Sequence, residues 1–222
     1  MSEMILEKSI VLEDVSKKIK GQYVLKQINL HLNRGKIYGL KGKNGSGKTM
    51  LLRAISGLIR INSGKITVMD KVLTKENEFP DSIGVLIETP GFIPEYTGLK
   101  NLKLLSMIKN IIGDLEMKKS LADVGLDPED KRKFRQYSLG MKQRLGIAQA
   151  IMEKPDVILL DEPSNALDEE GMKQLNKVLL ELRNGGATIV IASHDSKMLE
   201  EISDEIFEIE RGELCLNQEV VE

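Results

Sequence analysis

Eight residues, GKNGSGKT from Gly42 to Thr49, set glycines, a lysine and a hydroxyl at the spacing needed to hold a chain of phosphates. Gly42, Gly45 and Gly47 allow the backbone to turn its amide N–H groups into one concavity at the start of a helix, an anion-binding nest. Lys48 adds a point charge for the outer phosphates, and the Thr49 hydroxyl suits a Mg²⁺ ligand. A glycine-rich turn that binds nothing is the alternative, but a strand (IYGL) before and a helical run (MLLRAISGLI) after supply the context that the motif requires.

A second group of reactive residues ends a later apolar run. DVILLDEP closes with Asp161 and Glu162 before Pro163, and ligands of open α/β sheets gather at the carboxyl ends of strands. Asp161 is suited to hold Mg²⁺ through water, and Glu162 to polarise the water that attacks a terminal phosphate. The next run, ATIVIAS, leads into SHD, where His194 can bond the γ-phosphate and the same water. His31, the other of two histidines, lies midway along a strand and reads as structural. A lone carboxylate, Glu88, finishes IGVLIETP, which reads as an interior strand ended by Pro90; its expected place is on the metal side of the site.

These residues need a scaffold, and its elements can be read along the chain. SIVLEDV, YVLKQINLHL, KIYGLKG and GKITVMD read as short strands punctuated by Gly35, Gly57 and Gly64. From about Thr97 to Glu153 the periodicity turns helical, as in GLKNLKLLSMIKNIIG and LGMKQRLGIAQAIME, interrupted by the polar stretch DPEDKRKFRQ. DVILLD and ATIVIAS are nearly continuous apolar runs, as strands buried on both faces of a parallel sheet should be, with the helix EEGMKQLNKVLLELRN between them. The reading is an α/β fold with a mostly parallel sheet, a single domain over 1–222, and a helical subdomain inserted at 89–153.

Composition narrows the partners. The 222 residues fit one large domain. Lysine plus arginine number 32 against 34 acids, which gives no electrostatic footprint for nucleic acid. The single cysteine, Cys215, excludes an internal disulfide, fits a reducing compartment and reads as a partly buried small hydrophobe. No stretch reaches the roughly 18 to 20 apolar residues of a bilayer span. The expectation is a cytoplasmic protein that works at a membrane only if something else holds it there.

Taken together these motifs resemble one family, the nucleotide-binding subunits of ABC transporters. YSLGMKQR, from Tyr137 to Arg144, resembles its signature sequence, SNALD, from Ser164 to Asp168, resembles its D-loop, and His194 falls where it has a switch histidine. The resemblance implies a P-loop NTPase with a RecA-like core, an N-terminal antiparallel β subdomain and the inserted helical subdomain. It implies ATP and Mg²⁺ as ligands, with ATP bound by Gly42, Asn44, Gly45, Ser46, Gly47, Lys48, Thr49 and Met50, and the metal held by Thr49, Glu88 and Asp161. Glu162 and His194 would be catalytic; Ser138, Leu139, Gly140 and Met141 would face the ATP of a second subunit; Ser164 and Asp168 would cross that interface.

Three departures accompany the resemblance. Leu139 and Met141 stand where the usual signature has glycine and glutamine. For adenine stacking the aligned residue is Ile19, with Tyr23 as a substitute if the loop bends. Glu88 replaces a glutamine, which, like YSLGMKQRL, is similar to the branch of bacterial exporters concerned with bacitracin and lantibiotic resistance or immunity. The resemblance implies a homodimer with ATP, a separate transmembrane permease gripped around Glu88 to Asn101, and a position at the inner face of the cell membrane. A soluble ATPase of the same family acting on nucleic acid or the ribosome is the alternative.

Overall fold

The computed structural model describes residues 7–74 and 79–215. Two sheets share the chain. In the first, β1 (Lys8–Ile19), β2 (Gln22–Asn33), β4 (Ser63–Val68) and β5 (Lys71–Val72) pair antiparallel in the order β2-β1-β4-β5. In the second, β3 (Ile37–Lys41), β6 (Ile83–Leu86), β7 (Val157–Asp161), β8 (Thr188–Ser193) and β9 (Glu205–Glu210) run parallel, and β10 (Glu213–Cys215) turns back along the edge, giving β10-β9-β3-β8-β7-β6.

Strand alternation divides the interior into two layers. Val157 and Leu159 of β7, and Val190 and Ala192 of β8, pack with Leu51, Leu52 and Ile55 of α1 (Lys48–Ile55) and with Ile10, Leu12 and Ile28 of the antiparallel sheet. The intervening Ile158, Leu160, Ile189 and Ile191 face the other layer. That layer is made by α2 (Gly98–Ser106), α3 (Asp114–Asp123), α4 (Leu139–Ile151), α5 (Glu169–Asn184) and α6 (Ser196–Ile202). Two-sided burial explains why β7 is apolar up to its last residue and β8 is apolar between Thr188 and Ser193. α1 is thus sandwiched between the sheets, which fixes the phosphate loop that precedes it.

α2, α3 and α4 follow one another between β6 and β7. The apolar periodicity of GLKNLKLLSMIKNIIG overstates the first of them, because α2 stops at Ser106. Asn110 takes a left-handed backbone (φ 52) with its N–H on Ser106 O, and Gly113 caps α3, so the chain turns instead of continuing. Met107, Ile108 and Ile111, apolar at helical spacing, are exposed, Ile108 by 80%. The polar stretch DPEDKRKFRQ hides one core residue, Phe134, held by a 3₁₀ turn over Phe134–Gln136. β6 ends at Leu86, before Pro90, because Glu88 already has φ 60. Cys215 is exposed on the edge strand β10, not partly buried. No helix among the described residues is long and apolar enough to cross a membrane.

Candidate nucleotide site

Parallel pairing brings the carboxyl ends of the central strands level: Lys41 is opposite Ser193, Asp161 opposite Ala192, and Leu86 opposite Leu160. The loop after β3, the acids after β7, His194 after β8 and Glu88 after β6 therefore open on one edge of the sheet. A cavity of about 580 Å³ lies there, lined by residues 43–50 together with Glu88, Asp161 and Glu162.

The loop is tight where its glycines stand. A Cβ on Gly42 would lie 2.4 Å from Ile209 O and 2.6 Å from Ser46 Oγ, and one on Gly47 would lie 2.9 Å from Val24 O. Gly47, at φ 116, is the N-cap of α1; no side chain caps that end and its first turn holds no acid, so its amides and its dipole are open to an anion. Lys48 is only 5% exposed, and its Nζ donates to Gly42 O at 2.6 Å while standing 3.6 Å from Glu162 Oε1. The buried Ser46 Oγ has no partner.

Thr49 and Asp161 meet: Thr49 Oγ1 donates to Asp161 Oδ2 at 2.7 Å. Asp161 Oδ1 is buried with no partner. Burial pushes the Asp161 carboxyl above the usual aspartate range; the charges of Glu162 and Glu88 add to the rise, while the Thr49 hydroxyl and Lys48 oppose it. An unpaired oxygen, an adjacent hydroxyl and a carboxylate short of positive charge suit a small hard cation that takes its other ligands from phosphate and water, as Mg²⁺ does. Among the described residues no three His, Cys, Asp or Glu side chains form an all-protein metal cage.

Glu162 is held from every side. Its backbone is left-handed (φ 47), a conformation costing on the order of 1 kcal/mol for a residue with a Cβ, and its N–H donates to Ala192 O at 2.8 Å. Its Oε2 accepts from Ser193 Oγ at 3.2 Å and from the His194 N–H at 3.4 Å, and lies 2.8 Å from His194 Nδ1. The predicted acid pair and histidine are thus brought together at the mouth of the phosphate loop.

Glu88 has a partner that its place at the strand end does not announce. Its carboxylate, 61% exposed, lies 2.7 Å from Arg53 Nη2 and lines the same cavity as Thr49 and Asp161. Arg53 is four residues beyond Thr49, on the same face of α1, so the helix carrying the hydroxyl also carries the partner for this charge. Tyr23 and Ile19 both line the cavity, and Lys18 Nζ sits 4.3 Å from the centre of the Tyr23 ring. His31 is exposed on β2.

The signature residues stand apart. Ser138 caps α4, its Oγ accepting the Met141 N–H at 3.2 Å, and Leu139 is 68% exposed. Ser138, Gly140 and Met141 line a different cavity, also of about 580 Å³, with Arg144, Ala166 and Asp168. Gly140 is needed within the chain itself, since a Cβ there would lie 2.6 Å from Ala166 O. Asp168 caps α5 through the Gly171 N–H (2.9 Å) and pairs with Arg144 Nη2 (2.8 Å); the Gly171 amide first, and the arginine next, hold its carboxyl below the usual range. Ser164 begins the turn, its carbonyl accepting the Leu167 N–H at 3.1 Å.

Several site residues escape sequence reasoning. Arg53, Gln143, Arg144, Ser193, Arg211 and Gly212 act across the fold; Gln143, Arg144 and Ser193 lie inside stretches that the motifs single out, but their partners do not show there.

Comparison with known proteins agrees with this geometry. Residues 25–165 match the ABC transporter family model. The chain is 46% identical over 208 residues to the uncharacterised ABC transporter ATP-binding protein YybJ of Bacillus subtilis, covering 94% of this chain and 95% of that one. It is 40% identical to the bacitracin transport ATP-binding protein BcrA of Enterococcus faecalis, covering 95% of this chain and 69% of that longer one. It is 32% identical to the lantibiotic transport ATP-binding protein SrtF of Streptococcus pyogenes, covering 94% and 90%. Among solved structures, the dimeric cassette MJ0796 superposes with a TM-score of 0.86 at 27% identity over 92% of this chain and 96% of that one. Its post-hydrolysis state with ADP and Pi superposes at 0.85 and 26%, with the same coverage.

Proposed function

The chain belongs to the ABC transporter family as an ATP-binding, ATP-hydrolysing subunit, and on that premise we propose that it powers export of a peptide antibiotic or similar amphiphile through a separate membrane permease. The relatives named for bacitracin and lantibiotic transport support this cargo class, and none of the relatives described favours the nucleic-acid alternative.

The observation that carries the catalytic reading is the cluster at the loop: Thr49 against Asp161 with its free Oδ1, beside Glu162 in contact with His194. In the proposed reaction the loop amides and Lys48 bind the phosphates of ATP. Thr49 and Asp161 would hold Mg²⁺, which when bound neutralises charge on the phosphate oxygens. Glu162 orients a water and takes its proton as the water oxygen bonds to the γ-phosphorus; the bond to the bridging oxygen breaks and ADP leaves. His194, fixed through Nδ1 to Glu162, presents its other nitrogen toward the γ-phosphate.

The chain works as a single nucleotide-binding domain over 1–222, with 89–153 as its helical subdomain, and as a homodimer. Ser138, Gly140 and Met141 open with Asp168 on a different cavity from the phosphate loop of their own chain, which supports their serving the partner's ATP together with the exposed Leu139, with Ser164 and Asp168 at the interface. Glu88, the last residue before the helical subdomain, is tied to α1 of the core through Arg53, and it joins the two parts while its second carboxylate oxygen serves the metal. Its place is the inner face of the cell membrane, on its permease.

Glu162→Gln tests the core of the proposal. The purified variant is expected to bind ATP, accumulate as a dimer on gel filtration and lose turnover by about 10²-fold or more. Phosphate release at the wild-type rate would refute the assignment of Glu162.

A further inference from the structure

Glu162 has a strained backbone and is followed by a proline, which restricts the residue before it. Its N–H is fixed by Ala192 on β8 and its carboxylate by Ser193 and His194. The remaining handle, the peptide leading into Pro163, is held from another part of the fold. Gln143 Nε2, in the second turn of α4, lies 3.1 Å from Glu162 O and 3.3 Å from Pro163 O. The carbonyl of Glu162 also accepts the Asn165 N–H, at 3.2 Å, so its turn is closed locally and tied to α4 by the same oxygen.

α4 is the helix begun by Ser138, and Gly140 seats its first turn on Ala166 O. One rigid element therefore carries the signature residues at its tip and, five residues on from Ser138, an amide that grips the peptide of Glu162. We propose that Gln143 is a positioning residue for hydrolysis, holding the Glu162 carboxylate in its working place and transmitting to it any shift of α4. When the tip of α4 engages the nucleotide of the partner subunit, Gln143 carries that displacement to the chain's own Glu162. Each site of the dimer thereby senses the filling of the other.

This inference rests on the reading of Glu162 as the base. Its test uses the full-length chain with Gln143→Met, which keeps the side-chain volume and removes both donors, and with Gln143→Ala as a second variant, alongside Glu162→Gln. Steady-state ATP hydrolysis, the ATP concentration dependence and ATP-induced dimer formation are the readouts. The expected result is a fall in kcat of about 10- to 100-fold, with KM for ATP changed less than twofold, sigmoidal ATP dependence lost, and an ATP-dependent dimer that persists. A merely structural role would instead lower ATP affinity and the melting temperature together with kcat. That pattern in both variants, or a kcat within threefold of wild type, would overturn the proposal. Loss of turnover in Glu162→Gln with unchanged Gln143→Met turnover refutes this inference alone, whereas normal turnover in Glu162→Gln refutes the catalytic reading beneath it.

Discussion

Arg53 Nη2 stands 2.7 Å from Glu88 Oε1, so the carboxylate two residues beyond the end of β6 is met by a cation on the helix that follows the phosphate loop. The pair sits at the rim of the cavity that Asp161 and Glu162 also line, and Glu88 already contributes to the raised pKa of Asp161. Arg53 offsets the charge of Glu88 where Asp161 and Glu162 already bring two carboxylates to the cavity.

Arg53→Ala is expected to raise KM for ATP by about 2- to 5-fold, the scale of a half-exposed ion pair, and to make the rate depend more steeply on Mg²⁺. Arg53→Ala with Glu88→Gln should return both quantities toward wild type. A Mg²⁺ titration at fixed ATP checks this, and additive effects of the two changes would count against it.

Lys48→Ala removes a buried ammonium aimed into the loop. ATP affinity measured by calorimetry should fall by roughly 10- to 100-fold, from the loss of about 1.5–3 kcal/mol of charge-assisted bonding.

Asp161→Asn should separate function from stability. The folded-state pKa of Asp161 is raised, so between its ordinary and its raised value the folded chain binds more protons than the unfolded chain, and stability falls as pH rises through that window. Above the window the ionised carboxylate is a standing cost. The ligand-free Asn variant is therefore expected to melt higher than wild type at neutral pH, with the difference shrinking as pH drops toward the ordinary aspartate range, while Mg²⁺-dependent turnover is lost. Thermal melts at a series of pH values check the sign.

Two glycines mark close approaches rather than turns. A Cβ on Gly84 would lie 1.8 Å from Ala150 O, where β6 packs against α4, and one on Gly140 would lie 2.6 Å from Ala166 O. Gly84→Ala and Gly140→Ala should each cost about 1–3 kcal/mol, lowering the melting temperature by roughly 2–10 °C, while Gly91→Ala, with open space around its Cβ position, should be silent.

What the sequence makes legible is what local physics encodes. The nest of GKNGSGKT, the two-sided burial of DVILLD and ATIVIAS, and the amphipathic EEGMKQLNKVLLELRN need no knowledge of distant residues, and α5 spans that last stretch end to end. The failures share one cause, which is that the deciding partner lies elsewhere. The run through Ile108 and Ile111 has helical spacing but no core to face. Glu88 finds Arg53 across a strand crossover. Gln143 meets a turn 19 residues away, and its amide shows no sign of that in the one-dimensional pattern. β9 and β10, with charges scattered through EIFEIE and ELC, carry a weak alternating signal that only pairing with β3 resolves.

That last pair of strands bears on how the protein comes into being. The tip between β9 and β10 sits on the phosphate loop: Gly212 N–H donates to Ser46 O at 2.8 Å, its carbonyl accepts the Lys26 N–H at 2.7 Å, and β9 is the neighbour of β3 in the central sheet. A ribosome making this chain has polymerised every phosphate-binding residue long before it releases the hairpin that seats them. A chain broken off between β8 and β9 would carry the whole nucleotide motif but lack the β9 neighbour of β3 and the Gly212 bond that brace it.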